Sequence, residues 1–202
     1  MRRPSFVRSL RAVGIAAGSI TLAGATPAHR SPIPPAAQQI AAAVLPLPTE
    51  FRANASVLGY GADGKLTTLR AGSGPFTCLA SDPKAERFHV ACYHRSMEPF
   101  MARGRELRAS GVTGERVDTA RFAEVRAGKL KMPNAPAALY SLTGGAFDPA
   151  KGTAPGARAL YVIYIPGSTA ESTGIPARPS EGTPWIMFPG TPKAHVMFVP
   201  TM

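Results

Sequence analysis

The chain has 202 residues, 45% of them hydrophobic, and a net charge of +11 at neutral pH. This length is enough for one domain with a substantial core, which excludes a small scaffold that depends on many disulfide bonds. The strong positive charge predicts attraction to anionic partners, whose nature depends on where the protein is located.

Residues 1–28 have the three parts of a secretory signal peptide. The positive first part contains Arg2, Arg3, Arg8 and Arg11. An uncharged stretch of mostly small and apolar residues follows over 12–25, and small residues then allow cleavage after Ala25 or Ala28. The stretch is shorter than the roughly 20 residues of a transmembrane helix, so an uncleaved anchor is the less favoured alternative. We therefore predict a periplasmic or extracellular protein with no stable membrane span after cleavage.

Removal of the leader would take away four arginines and no acidic residue, which lowers the net charge from +11 to about +7. A basic exported protein is attracted to lipid headgroups or envelope polymers. Export makes nucleic acid a poor partner. We therefore expect a small-molecule or anionic envelope ligand and no nucleic acid, and the sequence leaves the oligomeric state open.

The two cysteines, Cys78 and Cys92, are predicted to form a disulfide bond. An isolated pair in an oxidising compartment most simply forms one bond. The two residues lie in predicted strands over 76–80 and 88–93, and a hairpin centred on residue 85 places them opposite each other. The bond would therefore join two adjacent strands.

A proline-rich segment over residues 29–48 precedes the domain. Proline fixes φ and removes an amide donor, so we expect this segment to run extended along the surface as a lead-in. A short helix over 36–45 fits between its prolines. Residues 49–202 are predicted to form a single α+β domain.

The domain is predicted to start with hairpins, to continue with two helices and to end with strands. The Asp-Gly pair at 63–64 is typical of a hairpin turn, and Ser96 is a good N-cap for the first helix. The segment 160–165 is apolar on both faces, as a central strand should be. The predicted strands are 56–60, 65–69, 76–80, 88–93, 138–143, 160–165, 185–188 and 195–199, and the predicted helices are 97–109 and 115–127. This order indicates an α+β fold with a mainly antiparallel sheet and two central helices inserted between N-terminal hairpins and C-terminal strands.

Three polar side chains form the candidate ligand site. His94 lies at a predicted strand-to-helix junction, Glu98 lies in the first helical turn, and His195 lies on the last strand. Polar groups that converge in an apolar cleft are typical of a binding site. Two histidines and one carboxylate also match a metal site. The alternative is that each histidine is hydrogen-bonded within the fold and has a structural role.

Other candidates for chemistry are weaker. Glu171 lies in a loop near a strand end and is a further ligand-binding candidate, with a role in loop structure as the alternative. The sequence contains no G-x-S-x-G, H-E-x-x-H, P-loop or EF-hand pattern. The glycine pairs within 59–61 and 72–74 lack the remaining glycines of a dinucleotide-binding turn. We therefore expect no cofactor.

Three segments carry a resemblance to a protein family. They contain the strings Phe-His-Val-Ala-Cys-Tyr-His from residue 88, Ala-Gly-Lys-Leu-Lys-Met-Pro from residue 127 and Pro-Gly-Thr-Pro-Lys-Ala-His from residue 189. With these strings the chain resembles a family of exported bacterial proteins of unknown function. The resemblance implies a bacterial source and an envelope location, and it implies no activity.

The sequence favours a non-catalytic, exported domain that binds a ligand. One alternative is a metal-assisted hydrolase that uses His94, Glu98 and His195. The other is a structural envelope protein held by its basic surface, because basic residues outnumber acidic ones over residues 103–131.

The predicted leader can be tested in the native host. N-terminal sequencing of the protein should begin at Thr26 or His29, because these residues follow the two cleavage positions. Recovery of soluble cytoplasmic protein that still begins at Met1 would contradict the prediction.

Overall fold

The structure is a computed structural model that describes residues 32–179 and 182–200. The predicted signal peptide, residues 1–28, lies outside the described residues. The described chain forms an eight-stranded sheet and five α-helices, which confirms the α+β class. Two of the helices lie in the middle of the chain, between the N-terminal and the C-terminal strands, as predicted.

The predicted strands and the two central helices are all present, and their ends lie within two residues of the predictions. The helices are α1 (Ala36–Ala43), α2 (Thr49–Arg52), α3 (Glu98–Ala109), α4 (Glu115–Arg126) and α5 (Ala170–Thr173). The strands are β1 (Ser56–Tyr60), β2 (Leu66–Arg70), β3 (Phe76–Leu79), β4 (His89–His94), β5 (Ala137–Thr143), β6 (Arg158–Tyr164), β7 (Trp185–Met187) and β8 (His195–Phe198). The strand order across the sheet is β2-β1-β3-β4-β5-β6-β8-β7.

One pair of neighbouring described strands is parallel. The β1–β2 hairpin turns at Gly64, whose φ of +74° favours glycine, and it leaves β2 at the edge of the sheet. The chain then returns on the other side of β1, so β3 pairs with β1 in parallel, with Val57 opposite Cys78. All other neighbouring pairs are antiparallel.

Helix α1 belongs to the core, whereas we predicted residues 29–48 as a surface lead-in. Ala43 and Leu47 are buried, and they pack in one cluster with Val57 of β1. The short helix itself was predicted correctly. The prediction of an exposed segment was wrong because the small alanine side chains let this helix lie close against the sheet, where apolar burial is favourable.

A buried amide fixes α1 on the sheet. The Gln39 side chain donates from Nε2 to the carbonyl oxygens of Pro34 (2.8 Å) and Tyr60 (2.9 Å), and its Oε1 accepts the Tyr60 N–H (2.8 Å). Gly59 makes this approach possible, since a Cβ there would lie 2.7 Å from Gln39 Oε1. The amide therefore satisfies backbone groups at the end of β1.

Helices α3 and α4 pack on the opposite face of the sheet. We call this the helix-covered face, and its strand residues include Tyr93, Val162 and Tyr164. The predicted N-cap, Ser96, instead lies in a single 3₁₀ turn over Arg95–Met97 that precedes α3. Pro99 lies in the first turn of α3, where a residue without an amide donor is tolerated. None of the helices in the described ranges has both the length and the apolar character needed to cross a membrane.

The predicted disulfide bond is present. Cys78 of β3 and Cys92 of β4 lie directly opposite each other in the antiparallel register and are bonded. Both residues are buried in the cluster beneath α1. We call the face that carries them the disulfide face. The bond therefore joins two central strands inside the core.

The bond should contribute substantially to stability. Simultaneous replacement of Cys78 and Cys92 by alanine should lower the free energy of unfolding by roughly 3 kcal/mol, because the bond closes a loop of about 15 residues. Urea unfolding followed by circular dichroism measures this difference. Two readily labelled thiols in oxidised, folded protein, or an unchanged unfolding midpoint, would contradict it.

Candidate functional site

His94 lies at the end of β4 on the disulfide face. It is in register with Phe76, and the two rings meet edge-on with centroids 5.8 Å apart. Its Nδ1 lies 2.8 Å from Ser96 Oγ and accepts the Ser96 N–H at 3.3 Å. The imidazole therefore caps the 3₁₀ turn that leads into α3.

His195 lies on the helix-covered face. It is opposite Tyr164 in the β6–β8 register, and its side chain packs between the rings of Tyr164 (5.0 Å) and Phe188 (5.8 Å). The Nδ1–H donates to the Lys193 carbonyl at 2.7 Å. The residue is only 6% exposed. These contacts are those of a hydrogen-bonded core histidine, which was the alternative to a ligand-binding role.

The structure does not bring His94, Glu98 and His195 together. Strands β5 and β6 lie between β4 and β8, and three strand spacings amount to about 14 Å. The two histidines also point to opposite faces. Among the described residues no three histidine, cysteine or carboxylate side chains are placed to hold a metal ion. The hypothesis of a metal-assisted hydrolase therefore loses its ligand set.

Glu98 takes part in a separate polar network. Its carboxylate accepts hydrogen bonds from the Tyr93 hydroxyl and from Arg105, each at 2.5 Å, and Arg105 also donates to Tyr93 Oη at 2.8 Å. Burial and the bond to Glu98 raise the pKa of Tyr93 above its usual range. Glu98 thus anchors the start of α3 to β4.

Glu171 lies in the first turn of the short helix α5, and its side chain is exposed. Its own backbone N–H and the Thr169 hydroxyl lower the pKa of its carboxyl group. Thr169 and Ser172 form a reciprocal capping box around the same turn. The contacts of Glu171 are local to this loop, as its structural interpretation predicts.

Part of the basic charge on the helical pair is neutralised within the fold. The Arg103 guanidinium donates to Glu124, with its shortest contact at 2.7 Å, and also pairs with Glu106. Arg121 pairs with Asp118. A basic surface that holds an envelope polymer would therefore have fewer free charges than the sequence suggests.

None of the described helices covers the part of the disulfide face over β6 and β8. Tyr161 and Ile163 of β6 are each 37% exposed, and Phe198 of β8 is 36% exposed. The register places Phe198 opposite Tyr161, so the three side chains lie on the same side of the sheet. We call these three residues the open face.

The open face forms the floor of a cavity of about 1050 Å³. This volume is at the upper end of the range for small-molecule sites. The remaining lining residues are Ala138, Tyr140, Val162, Pro179, Gly182, Thr183, Pro184, Trp185, Val199 and Pro200. None of the described lining residues is charged, and no histidine or cysteine is among them. The cavity is therefore an apolar and aromatic surface with only a few polar atoms.

Sequence reasoning missed this cavity, although the relevant pattern was visible. The segment 160–165 was recognised as apolar on both sides and was interpreted as a central strand. Strand β6 is indeed flanked by β5 and β8, but only its Val162 and Tyr164 side is covered by helices. The side-chain pattern of one strand does not show which of its faces will be packed against a helix.

The buried position of His195 predicts a pH dependence of stability. Burial lowers its pKa below the usual 6.5, and the Lys193 charge acts in the same direction, against the carbonyl hydrogen bond. Below that usual value the unfolded chain binds a proton that the folded chain does not, so this group makes stability fall as the pH is lowered.

Chemical denaturation at about pH 7.5 and about pH 5 should show this loss in the wild type and a smaller loss in His195→Asn. Asparagine cannot titrate there and places an amide donor near the position of Nδ1. An identical loss in both proteins would contradict the assignment.

No protein-family model matches this chain, and neither a curated protein nor a solved structure matches it. The resemblance to exported bacterial proteins therefore stays a prediction. A functional proposal therefore depends on the side chains and the apolar cavity described above.

Proposed function

We propose that the protein is an exported, non-catalytic binding protein whose cavity holds an apolar small molecule or the acyl chain of an amphiphile. The observation that carries this proposal is the open face. Three in-register apolar side chains, Tyr161, Ile163 and Phe198, remain more than one-third exposed at the floor of a cavity. Contiguous exposed apolar surface on a folded domain usually marks a binding site.

The lining favours an apolar ligand over a saccharide or an ionic polymer. Saccharide hydroxyls and ionic groups require several polar or charged partners, because polar groups buried without hydrogen bonds are costly. The described lining offers tyrosine hydroxyls and the Trp185 indole N–H, but no charged group. These few polar atoms suit the orientation of a mostly apolar molecule.

The same residues support a binding role without catalysis. Acid–base and nucleophilic catalysis use side chains such as histidine, carboxylate, lysine or cysteine. The described lining has no histidine, carboxylate, lysine or cysteine, and its hydroxyl-bearing side chains are tyrosine and threonine. The sequence of residues 1–28 supports export, and the buried Cys78–Cys92 bond is in keeping with an oxidising compartment.

Trp185 allows a direct test, because it is the only tryptophan in the chain. Titration of the mature protein with 1-decanol, a neutral apolar probe, should change the Trp185 fluorescence to a saturating value. Ile163→Asn should weaken this binding by about tenfold, since loss of one apolar side chain from a contact costs about 1.5 kcal/mol.

Leu66→Asn is the matched control. Leu66 is 36% exposed on β2, at the opposite edge of the sheet, so its replacement should leave decanol binding unchanged. Equal binding by the two variants would contradict the proposal. Saturation by a chitin oligosaccharide but not by decanol would contradict the ligand class.

A second copy of the chain is the other possible occupant of the open face. Sedimentation velocity over a range of protein concentrations distinguishes the two cases. We expect a monomer. A dimer that Ile163→Asn dissociates would show that the open face is an interface between copies.

A further inference from the structure

A second cavity, of about 220 Å³, lies on the helix-covered face between α3, α4 and the sheet. It is separate from the open face, which lies on the other side of β6. Its lining residues are Leu79, Ala91, Tyr93, Phe100, Met101, Arg105, Arg108, Arg121, Leu139, Tyr164 and Lys193. A liquid water molecule takes up about 30 Å³, so this cavity is large enough for a small polyatomic ion.

The cavity contains more positive than negative charge. Arg105, Arg108, Arg121 and Lys193 line it. Two carboxylates pair with these cations: Glu98 with Arg105, and Asp118 with both Arg121 and Lys193. Although burial opposes the shift, hydrogen bonds from Lys193 and Arg121 lower the pKa of Asp118, so it is ionised at neutral pH. Two positive charges therefore remain uncompensated around the cavity.

Arg121 has an unusual environment for a guanidinium group. Its side chain is only 4% exposed and lies over the Phe100 ring, 3.8 Å from the centroid. The Nη1 donates to the Phe100 carbonyl at 3.1 Å, and Nη2 donates to Asp118. The Nε–H is buried and has no hydrogen-bond partner. Buried donors without a partner are rare in folded proteins, and a bound ion or water commonly explains them.

Gly104 brings a second guanidinium beside Arg121. A Cβ at Gly104 would lie 2.9 Å from Arg121 Nη1 and 3.3 Å from Arg108 Nη1, so both groups occupy space that a side chain would fill. Arg108 donates to the Gly104 carbonyl at 3.1 Å, and among the described residues no carboxylate forms an ion pair with it. Two like charges held side by side repel, and an anion between them removes that repulsion.

One tyrosine hydroxyl, that of Tyr164, completes the set of donors. Burial raises the pKa of Tyr164 to about 12, so its hydroxyl keeps its proton at neutral pH. Tyr93 lines the same cavity, but its hydroxyl proton is donated to Glu98 and its oxygen accepts from Arg105. Guanidinium and hydroxyl donors together match the acceptor oxygens of carboxylate and phosphate groups.

We propose that this second cavity binds a small oxyanion, a carboxylate or a phosphate group, through Arg105, Arg108 and Arg121. The site is independent of the apolar cavity. Arg108 and Arg105 supply donors at the cavity entrance, and the buried Arg121 supplies fixed positive charge behind them.

The test is an NMR titration of the mature protein with sodium phosphate and, in a second arm, with sodium acetate, both at constant ionic strength. The arginine Nε–H resonances report on each guanidinium separately. We expect the signals of Arg105, Arg108 and Arg121 to shift to saturation. The anion that saturates them at the lower concentration identifies the phosphate or the carboxylate class.

Arg108→Gln should weaken the binding by about tenfold, because it removes a charged donor. Arg108 is exposed, so this variant should fold. Arg126→Gln is the matched control, since Arg126 is an exposed arginine at the end of α4 outside the cavity. Arg108→Lys, which keeps the charge, should restore part of the affinity.

Two results would overturn the proposal. One is the absence of a saturable shift with either anion in the wild type. The other is equal weakening by Arg108→Gln and Arg126→Gln, which would indicate a general effect of charge. Neither result bears on decanol binding at Trp185, so the two proposals can fail separately.

Discussion

An eight-stranded sheet has two faces, and every strand sends alternate side chains to each of them. The helices of residues 32–179 and 182–200 do not cover both faces along their whole width. Helices α3 and α4 lie on one face, and α1 packs on the other face over β1, β3 and β4. The described helices leave the open face on β6 and β8 uncovered. The open face follows from this incomplete cover of the sheet.

A chain of aromatic contacts connects the covered and the uncovered parts of the disulfide face. The ring centroids of Phe51 and Phe76 are 5.1 Å apart, those of Phe76 and Tyr140 are 5.7 Å apart, and those of Tyr140 and Tyr161 are 5.3 Å apart. Such separations are favourable for tilted and edge-on ring pairs. The cavity floor is therefore continuous with the core beneath α1, and this packing holds Tyr161 in place.

The sequence predicted most of the local structure. Signals such as the Asp-Gly pair at 63–64 and the apolar segment 160–165 helped to locate strands, because they act over a few residues. The Cys78–Cys92 register was also predictable, since a hairpin fixes its own pairing. The burial of α1 was not, because alanine-rich segments are compatible with both surface and core.

Whether the candidate site residues lie close together could not be predicted from such local signals. His94 and His195 are each typical of a functional residue, but their distance depends on the order of strands that are far apart in the chain. The alternation of side chains shows that a strand has two faces, but it does not show which element packs against each face. The second cavity could not be predicted from the sequence for a similar reason. Its arginines belong to the basic segment over residues 103–131. The packing of α3 against α4 places Arg121 beside Arg108 at Gly104.

The bond between Lys193 and Asp118 has a consequence for the order of folding. The two residues are 75 positions apart, and their contact, 2.8 Å long, ties α4 to the loop before β8. The β3–β4 hairpin, by contrast, needs only residues that are close in sequence, and local contacts form faster than distant ones. A chain that is synthesised with its N-terminus first can therefore form the β3–β4 hairpin early. Helix α4 forms its contact with Lys193 only after the segment before β8 has been synthesised. Folding of the domain is therefore completed late, when this segment packs against α4.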